Sequence, residues 1–159
     1  MTQPTLTTYG GRLLDIGYAG EVVDQSPAVI GSFISDLALA IDFGVAVARS
    51  ASDNTCKAPT VDGDRILGIS VRHAIRPAVA GVVNYVQFDA VPIMRSGLIY
   101  AVAFENATRG DTVISVTAQN GKLGSLTGGA AGAGRVLVPG ATWDTTVTAT
   151  NIGVIRLAS

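Results

Sequence analysis

Charge is what this sequence has least of. Asp, Glu, Lys and Arg make up 14% of its 159 residues, where an ordinary soluble domain carries about a quarter. It has two lysines, Lys57 and Lys122, and two glutamates, Glu21 and Glu105. A lone domain normally covers itself with such groups. Here much of the surface must be neutral or apolar, which suits a chain that works against other protein surfaces. The net charge of −1 leaves no basic stripe, so nucleic acid is not an expected partner. Cysteine occurs once, at Cys56, which excludes a disulfide within the chain. Its neighbours Asp53, Asn54, Thr55 and Lys57 suggest a loop thiol with no framework role. Histidine also occurs once, at His73. One histidine and one distant cysteine do not supply the three or four ligands of a zinc site. A Ser-His-Asp triad would have to use His73, and no Gly-x-Ser-x-Gly elbow presents a serine to it. No glycine-rich phosphate loop is followed by Lys and Ser or Thr. No catalytic residue, metal or cofactor is therefore expected. The most apolar stretch, Ile34 to Ala48, is broken by Asp36 and Asp42, and a membrane span needs about 20 largely uncharged residues. Met1-Thr2-Gln3-Pro4 opens no basic-then-apolar leader. The expectation is a chain made in a cytoplasm, with no membrane partner, and the match of Asn106-Ala107-Thr108 to a glycosylation acceptor is taken as chance.

What the sequence has is strand signal. Alternating apolar and β-branched runs recur about every 8–12 residues with turn residues between them, the pattern of a sandwich or barrel. Ile41 to Arg49 and Ile66 to His73 read as strands, the second with Leu67, Ile69, Val71 and His73 on one face. Asn84 to Arg95 reads as a third, with Pro92 marking an edge or a bulge. Ser96-Gly97 predicts a turn before Leu98 to Phe104, and Arg109-Gly110-Asp111 predicts another before Thr112 to Ala118. Asn120-Gly121 is a two-residue hairpin signal. Arg135 to Val138, Thr145 to Thr150 and Gly153 to Leu157 complete the set. Helix signal is confined to Ser35 to Ala40, where Asp36 could cap one turn. Gly128 to Gly134 holds no side chain larger than a methyl, so it is either a flexible loop or a place where backbones pass closely. The fold class expected is all-β, a jelly roll or barrel-like β-sandwich.

The first 30 residues differ. Pro4, Gly10, Gly11, Gly17, Gly20 and Pro27 break any long strand, while the apolar content is too high for a disordered tail. We read residues 1–30 as an extended arm and 31–159 as a single β domain. Leu6, Tyr9, Leu13, Leu14, Ile16, Tyr18, Val22 and Val23 are the candidate contacts with a partner surface or a sister subunit. An arm packed on its own barrel is the alternative.

Two family resemblances lie in the chain. Asp15-Ile16-Gly17-Tyr18-Ala19-Gly20-Glu21-Val22 resembles the uridine-binding motif of the trimeric dUTP pyrophosphatases, and Arg95-Ser96-Gly97-Leu98 resembles their phosphate-binding motif. The order of the two is reversed relative to that family, and its other motifs are absent. The second resemblance runs the length of the chain. Gly20-Glu21-Val22-Val23-Asp24, Pro27 to Ser32, and Ile41-Asp42-Phe43-Gly44-Val45-Ala46-Val47 resemble the opening of the structural cement proteins of tailed phages. Leu67-Gly68-Ile69-Ser70-Val71, then Val91 to Val102, then Gly110-Asp111-Thr112-Val113, and finally Gly153 to Leu157 resemble that family's later strands and turns in the right order. This resemblance implies a non-enzymatic decoration subunit on the outer face of a phage head. Its expected partners are the major capsid protein and itself, as dimer or trimer, with no catalytic residue to carry over. A glycan-binding fibre or spike module is a third reading, for which Trp143 and four tyrosines are the only stacking platforms. Trp143 is expected instead to plug the barrel or an interface.

Overall fold

The computed structural model describes residues 18–23, 28–36, 39–72, 84–117 and 123–158. Every regular element among them is a β-strand: β1 (Val29–Ser35), β2 (Ile41–Asp42), β3 (Ala46–Arg49), β4 (Thr55–Lys57), β5 (Ile66–Ser70), β6 (Asn84–Tyr85), β7 (Ala90–Val102), β8 (Thr112–Val116), β9 (Leu126–Gly128), β10 (Arg135–Trp143) and β11 (Ile152–Leu157). Of the shapes left open by the sequence, the chain takes the barrel.

Strands β1, β4, β3, β5 and β7 are neighbours in that order, and β1 returns to pair with β7, so five strands close. The closing joint is short. β1 meets β4 in parallel, Ile34 opposite Thr55 and Ser35 opposite Cys56, and the Ile34 N–H donates to the Asn54 carbonyl at 2.9 Å. Inside lie Ile41, Val47, Cys56, Ala58, Tyr85, Val91 and Ile93, with Phe33, Phe43 and Leu67 packed against them.

Beyond Ser96 the long strand β7 leaves this barrel and founds a second sheet in the order β7-β11-β10-β8-β9. That sheet also curls back on itself. Ala103, just past β7, is bridged in parallel to Leu126 of β9, and the Phe104 N–H donates to the Leu126 carbonyl at 2.7 Å. Trp143 lies in the second core, 1% exposed, among Ile99, Val113, Leu126, Val147 and Ile155. Its Nε1–H donates to the Thr127 carbonyl at 3.1 Å, so the indole plugs a barrel with its one polar atom satisfied.

Segments 103–112 and 143–152 repeat one another about a local two-fold. Ala107 and Val147 face each other across the axis, each N–H donating to the other's carbonyl at 2.9 Å. Gly110 N–H donates to the Trp143 carbonyl at 2.8 Å, and Thr150 N–H to the Ala103 carbonyl at 2.7 Å. Trp143 N–H donates to the Asp111 carbonyl, and Ala103 N–H to that of Asn151. Even the side chains correspond: Thr146 Oγ1 accepts from Arg109 N–H, and Asn106 Oδ1 from Ala149 N–H.

Several sequence expectations are corrected. Ile41 to Arg49 is two strands, split at Gly44 (φ +70), because a Cβ there would lie 2.5 Å from the Gly20 nitrogen. Asn84 to Arg95 is likewise split by a turn at Val86–Asp89. Ser96-Gly97 is no turn: β7 runs through it with a register shift against β1, and Gly97 (φ +127) has Ala28 against it. Pro92 is in a central strand, opposite Ser32 of β1. Its carbonyl accepts from Val71 N–H at 2.8 Å, so its missing donor faces the place where the β5 ladder has already ended. Leu67 does not share a face with Ile69, because Leu67 is the extra residue of a bulge between the Val47–Gly68 and Ala48–Ile66 pairs, which puts Leu67 in one core and Ile69 in the other. Thr145 to Thr150 is the second of the two-fold-related turns, with one bridge at Val147. Ser35 ends β1, and no helix occurs among the described residues. Cys56 is a fully buried residue of β4. Burial, with Asp36 beside it, pushes its thiol pKa up to about 12. Asn120-Gly121 and His73 lie outside the described residues.

Candidate interaction surfaces

The segment expected to make contacts is anchored at its root. Gly20 N–H donates to the Tyr100 carbonyl at 2.8 Å, Tyr100 N–H to that of Glu21 at 2.9 Å, and Val23 N–H to that of Leu98 at 3.0 Å. Residues 20–23 therefore form a short edge along the second half of β7, with Val22 opposite Ile99. Gly20 is also the acceptor for Arg72 N–H at 2.7 Å. A Cβ on Gly20 would lie 2.8 Å from the Arg72 nitrogen and 2.9 Å from that of Gly44. The crossing requires glycine on both strands, which is the physical content of the glycines at these two positions.

Of the eight candidate contact residues, Leu6, Tyr9, Leu13, Leu14 and Ile16 lie outside the described residues. Tyr18 is exposed, and its ring lies under the Arg72 guanidinium at 4.4 Å. Its N–H donates to Glu21 Oε2 at 3.1 Å. Val22 and Val23 are half-buried, and Val22 packs against the larger core.

A second apolar surface was not foreseen. Val29, Ile30 and Ile34 stand exposed on β1, and Leu39, Val86 and Phe88 are exposed near its far end. Their residue types read as strand interior; only the pairing of β1 with β7 shows which side of them faces water. Among the described residues no group of three His, Cys, Asp or Glu side chains could hold a metal ion, and no helix is long and apolar enough to cross a membrane.

The described parts of the stretches that resemble a nucleotide site are committed to the fold; Asp15, Ile16 and Gly17 lie outside the described residues. The Gly20 N–H and carbonyl are both hydrogen-bonded to backbone, and Arg95-Ser96-Gly97-Leu98 lies within β7, the Arg95 guanidinium 5.1 Å over the Phe33 ring.

A family profile described as structural cement protein (E217 gp24/Pam3 gp6) matches residues 5–158. The chain belongs to the phage structural cement proteins. A solved chain from the capsid of Myoviridae phage XM1 superposes on it with a TM-score of 0.73 at 20% identity, covering 89% of this chain and 90% of that one. At that identity the likeness speaks for the fold. No curated protein sequence matches significantly. The cement chain is thus a structural component of the virion, associated with the capsid.

Proposed function

We propose that this cement protein decorates the outer surface of a phage head, where it bridges major capsid protein subunits and stabilises the mature shell without catalysing a reaction. The observation that carries this reading is the family match over residues 5–158. The surface supports it: charge is sparse, and ten large apolar side chains are exposed among the described residues. A clip that binds only the mature lattice stabilises that lattice by mass action, and many symmetric copies turn a modest affinity into strong retention. Residues 1–30 act as the arm of this clip on the single β domain of 31–159, with the candidate contacts from Leu6 to Val23 reaching the shell or a sister subunit in a dimer or trimer. The protein is made in the host cytoplasm and needs no cofactor, nucleic acid or membrane.

The test is reconstitution. Heads stripped of this protein should rebind it to saturation at a fixed ratio to the major capsid protein, and rebinding should raise the temperature at which the heads open. Heads that rebind none, or that open at the same temperature when fully decorated, would sink the reading.

A further inference from the structure

The root of the arm is held from two sides. Gly20 and Val23 are bonded along the second half of β7. That pairing ends at Gly20, where the chain turns. Glu21 N–H donates to the Tyr18 carbonyl at 2.9 Å, and Gly20, the third residue of this turn, has φ +82. A type II turn requires a positive φ at that position. The Glu21 carboxylate closes the turn a second time by accepting from Tyr18 N–H. The turn carries Tyr18 off the β7 edge and onto the first barrel.

Arg72 receives it there. Arg72 lies two positions past the end of β5, and its N–H donates to the Gly20 carbonyl at 2.7 Å. Its guanidinium lies 4.4 Å over the Tyr18 ring and 5.9 Å over the Phe43 ring, so two aromatic faces share one cation. Phe43 is itself fixed. Its ring meets Tyr85 edge-on, centroids 5.0 Å apart, and packs against the core of the first barrel. The Tyr85 hydroxyl donates to the carbonyl of Val71, the residue before Arg72.

The two rings therefore stand in different positions. Phe43 belongs to the barrel, whereas Tyr18 is 57% exposed and leads into the arm. The bond from Arg72 to Gly20 is made by backbone and persists whatever side chain stands at position 72. The guanidinium adds a hold on Tyr18, further out, where backbone pairing to β7 has stopped. An exposed ring stacked on a cation contributes little to the core; what it does is fix where residue 18 sits.

We propose that Arg72 is a positioning residue, whose guanidinium, bound between Tyr18 and Phe43, fixes the point on the first barrel from which the arm departs toward its partner. This rests on the proposed function, under which the arm makes the contact. A root ordered in advance leaves less to be ordered on docking, and so tightens binding.

The experiment uses full-length chains: wild type, Arg72→Gln, Arg72→Lys, Tyr18→Leu and the double variant Arg72→Gln/Tyr18→Leu. Each is measured for melting and for binding to stripped heads. In wild type, NMR reads the upfield ring-current shift that the Tyr18 ring imposes on the Arg72 side-chain protons. Arg72→Gln and Tyr18→Leu should each melt within a few degrees of wild type and bind about two- to fivefold more weakly, the worth of one exposed cation–π contact. The double variant should bind no more weakly than either single one, because both lose the same contact. Arg72→Lys, which keeps a cation over the ring, should retain most of the affinity. Should Arg72→Gln fail to fold, Arg72→Met, which keeps an unbranched apolar stem without the charge, takes its place. Additive losses would mean that Tyr18 touches the partner by itself, and would overturn the proposal. Wild-type binding by the folded variants overturns it too, as does a wild-type spectrum without the ring-current shift. Weaker binding that only tracks a large fall in melting temperature makes Arg72 a structural residue, and the proposal fails. Wild-type protein that binds no heads removes the proposed function and this inference with it, whereas heads bound equally by wild type and variants remove the inference alone.

Discussion

Among the described residues, two other than glycine have positive φ, Phe88 and Thr150, and they stand in different relations to the fold. Thr150 is exposed and occupies the turn position that Gly110 (φ +93) fills in the related segment. The Ala103 carbonyl accepts its N–H, so the turn holds it there although its side chain is β-branched. Left-handed geometry costs an L-residue about 1–2 kcal/mol, while glycine loses about 0.5–1 kcal/mol more chain entropy on folding. Thr150→Gly should therefore stabilise the protein by up to about 1 kcal/mol, a rise of a few degrees in melting temperature that calorimetry would detect. A lower melting temperature would mean that the threonine side chain makes a contact worth more than the strain. Neither outlier was legible in the sequence. Gln87-Phe88-Asp89 reads as strand, and Ala149-Thr150-Asn151 carries no glycine to mark a turn. Gly110, with Asp111 after it, was legible because residue type and backbone agree there.

At the scale of elements, the arm root makes a sharper prediction than the sequence alone allows. Deleting residues 1–19 removes the Tyr18 ring from beneath Arg72 and the Tyr18 N–H from Glu21, but it leaves Gly20 and Val23 bonded to β7. The truncated chain should fold, with a melting temperature within a few degrees of the full one. It should bind stripped heads or sister subunits more weakly. Ordering an arm costs about 1–2 kcal/mol per residue, and each large apolar side chain returns roughly 1.5–3 kcal/mol when fully buried, so docking is favourable only if most of them engage together. Equal binding by the two forms would show that the arm is no anchor, and a truncated chain that cannot fold would make it part of the core. The strand readings that succeeded, such as Thr112 to Ala118 and Gly153 to Leu157, lie where a short β-branched run meets no turn or bulge and is buried along most of its length. Those that failed lie at Gly44, Leu67–Gly68 and Gly97, where a backbone crossing or a bulge interrupts the period, and at the turns 86–89 and 145–150, which no glycine marks.

Across the whole molecule, one carboxylate ties separate loops together and a second closes the loop it sits in. Asp62 accepts from Thr117 Oγ1 at 2.7 Å and from Gly134 N–H at 3.0 Å, which joins the loop after β4 to the ends of β8 and β10. Those two hydrogen bonds hold its pKa below the ordinary carboxylate value. Asp64 pairs with Lys57 at 2.6 Å and accepts from the N–H groups of Thr60 and Val61. Burial pushes its pKa up, and the bonds from Lys57 and these two backbone groups bring it lower still, to a net depression. Both acids bind protons more weakly in the folded state. Their stabilisation is complete above the unfolded value, about 3.9, and is lost as pH falls through the lower folded values. Stability should therefore fall as pH drops below about 4, and the fall should be shallower in Asp64→Asn. An Asp64→Asn variant with the wild-type acid slope would show that the Asp64 linkage does not contribute.

The sequence by itself determined the class of the protein: alternation and turn residues specify an all-β chain, the scarcity of charge specifies an associating surface, and the ordered motifs point to the cement family. It also marked Trp143 as a plug of the barrel or of an interface, and the fold buries it in a core. Only the tertiary structure decided that five strands close through two residue pairs of β1 and β4, that β7 serves two barrels, and that segments 103–112 and 143–152 are related by a two-fold. It alone moved Cys56 from a polar loop into a core and raised Phe88 into water on a strained turn. The physical reason is range. Periodicity reports which neighbours along the chain share a face, whereas closure, bulges and strained turns are set by contacts between residues far apart in sequence, and those contacts exist only once the chain has folded.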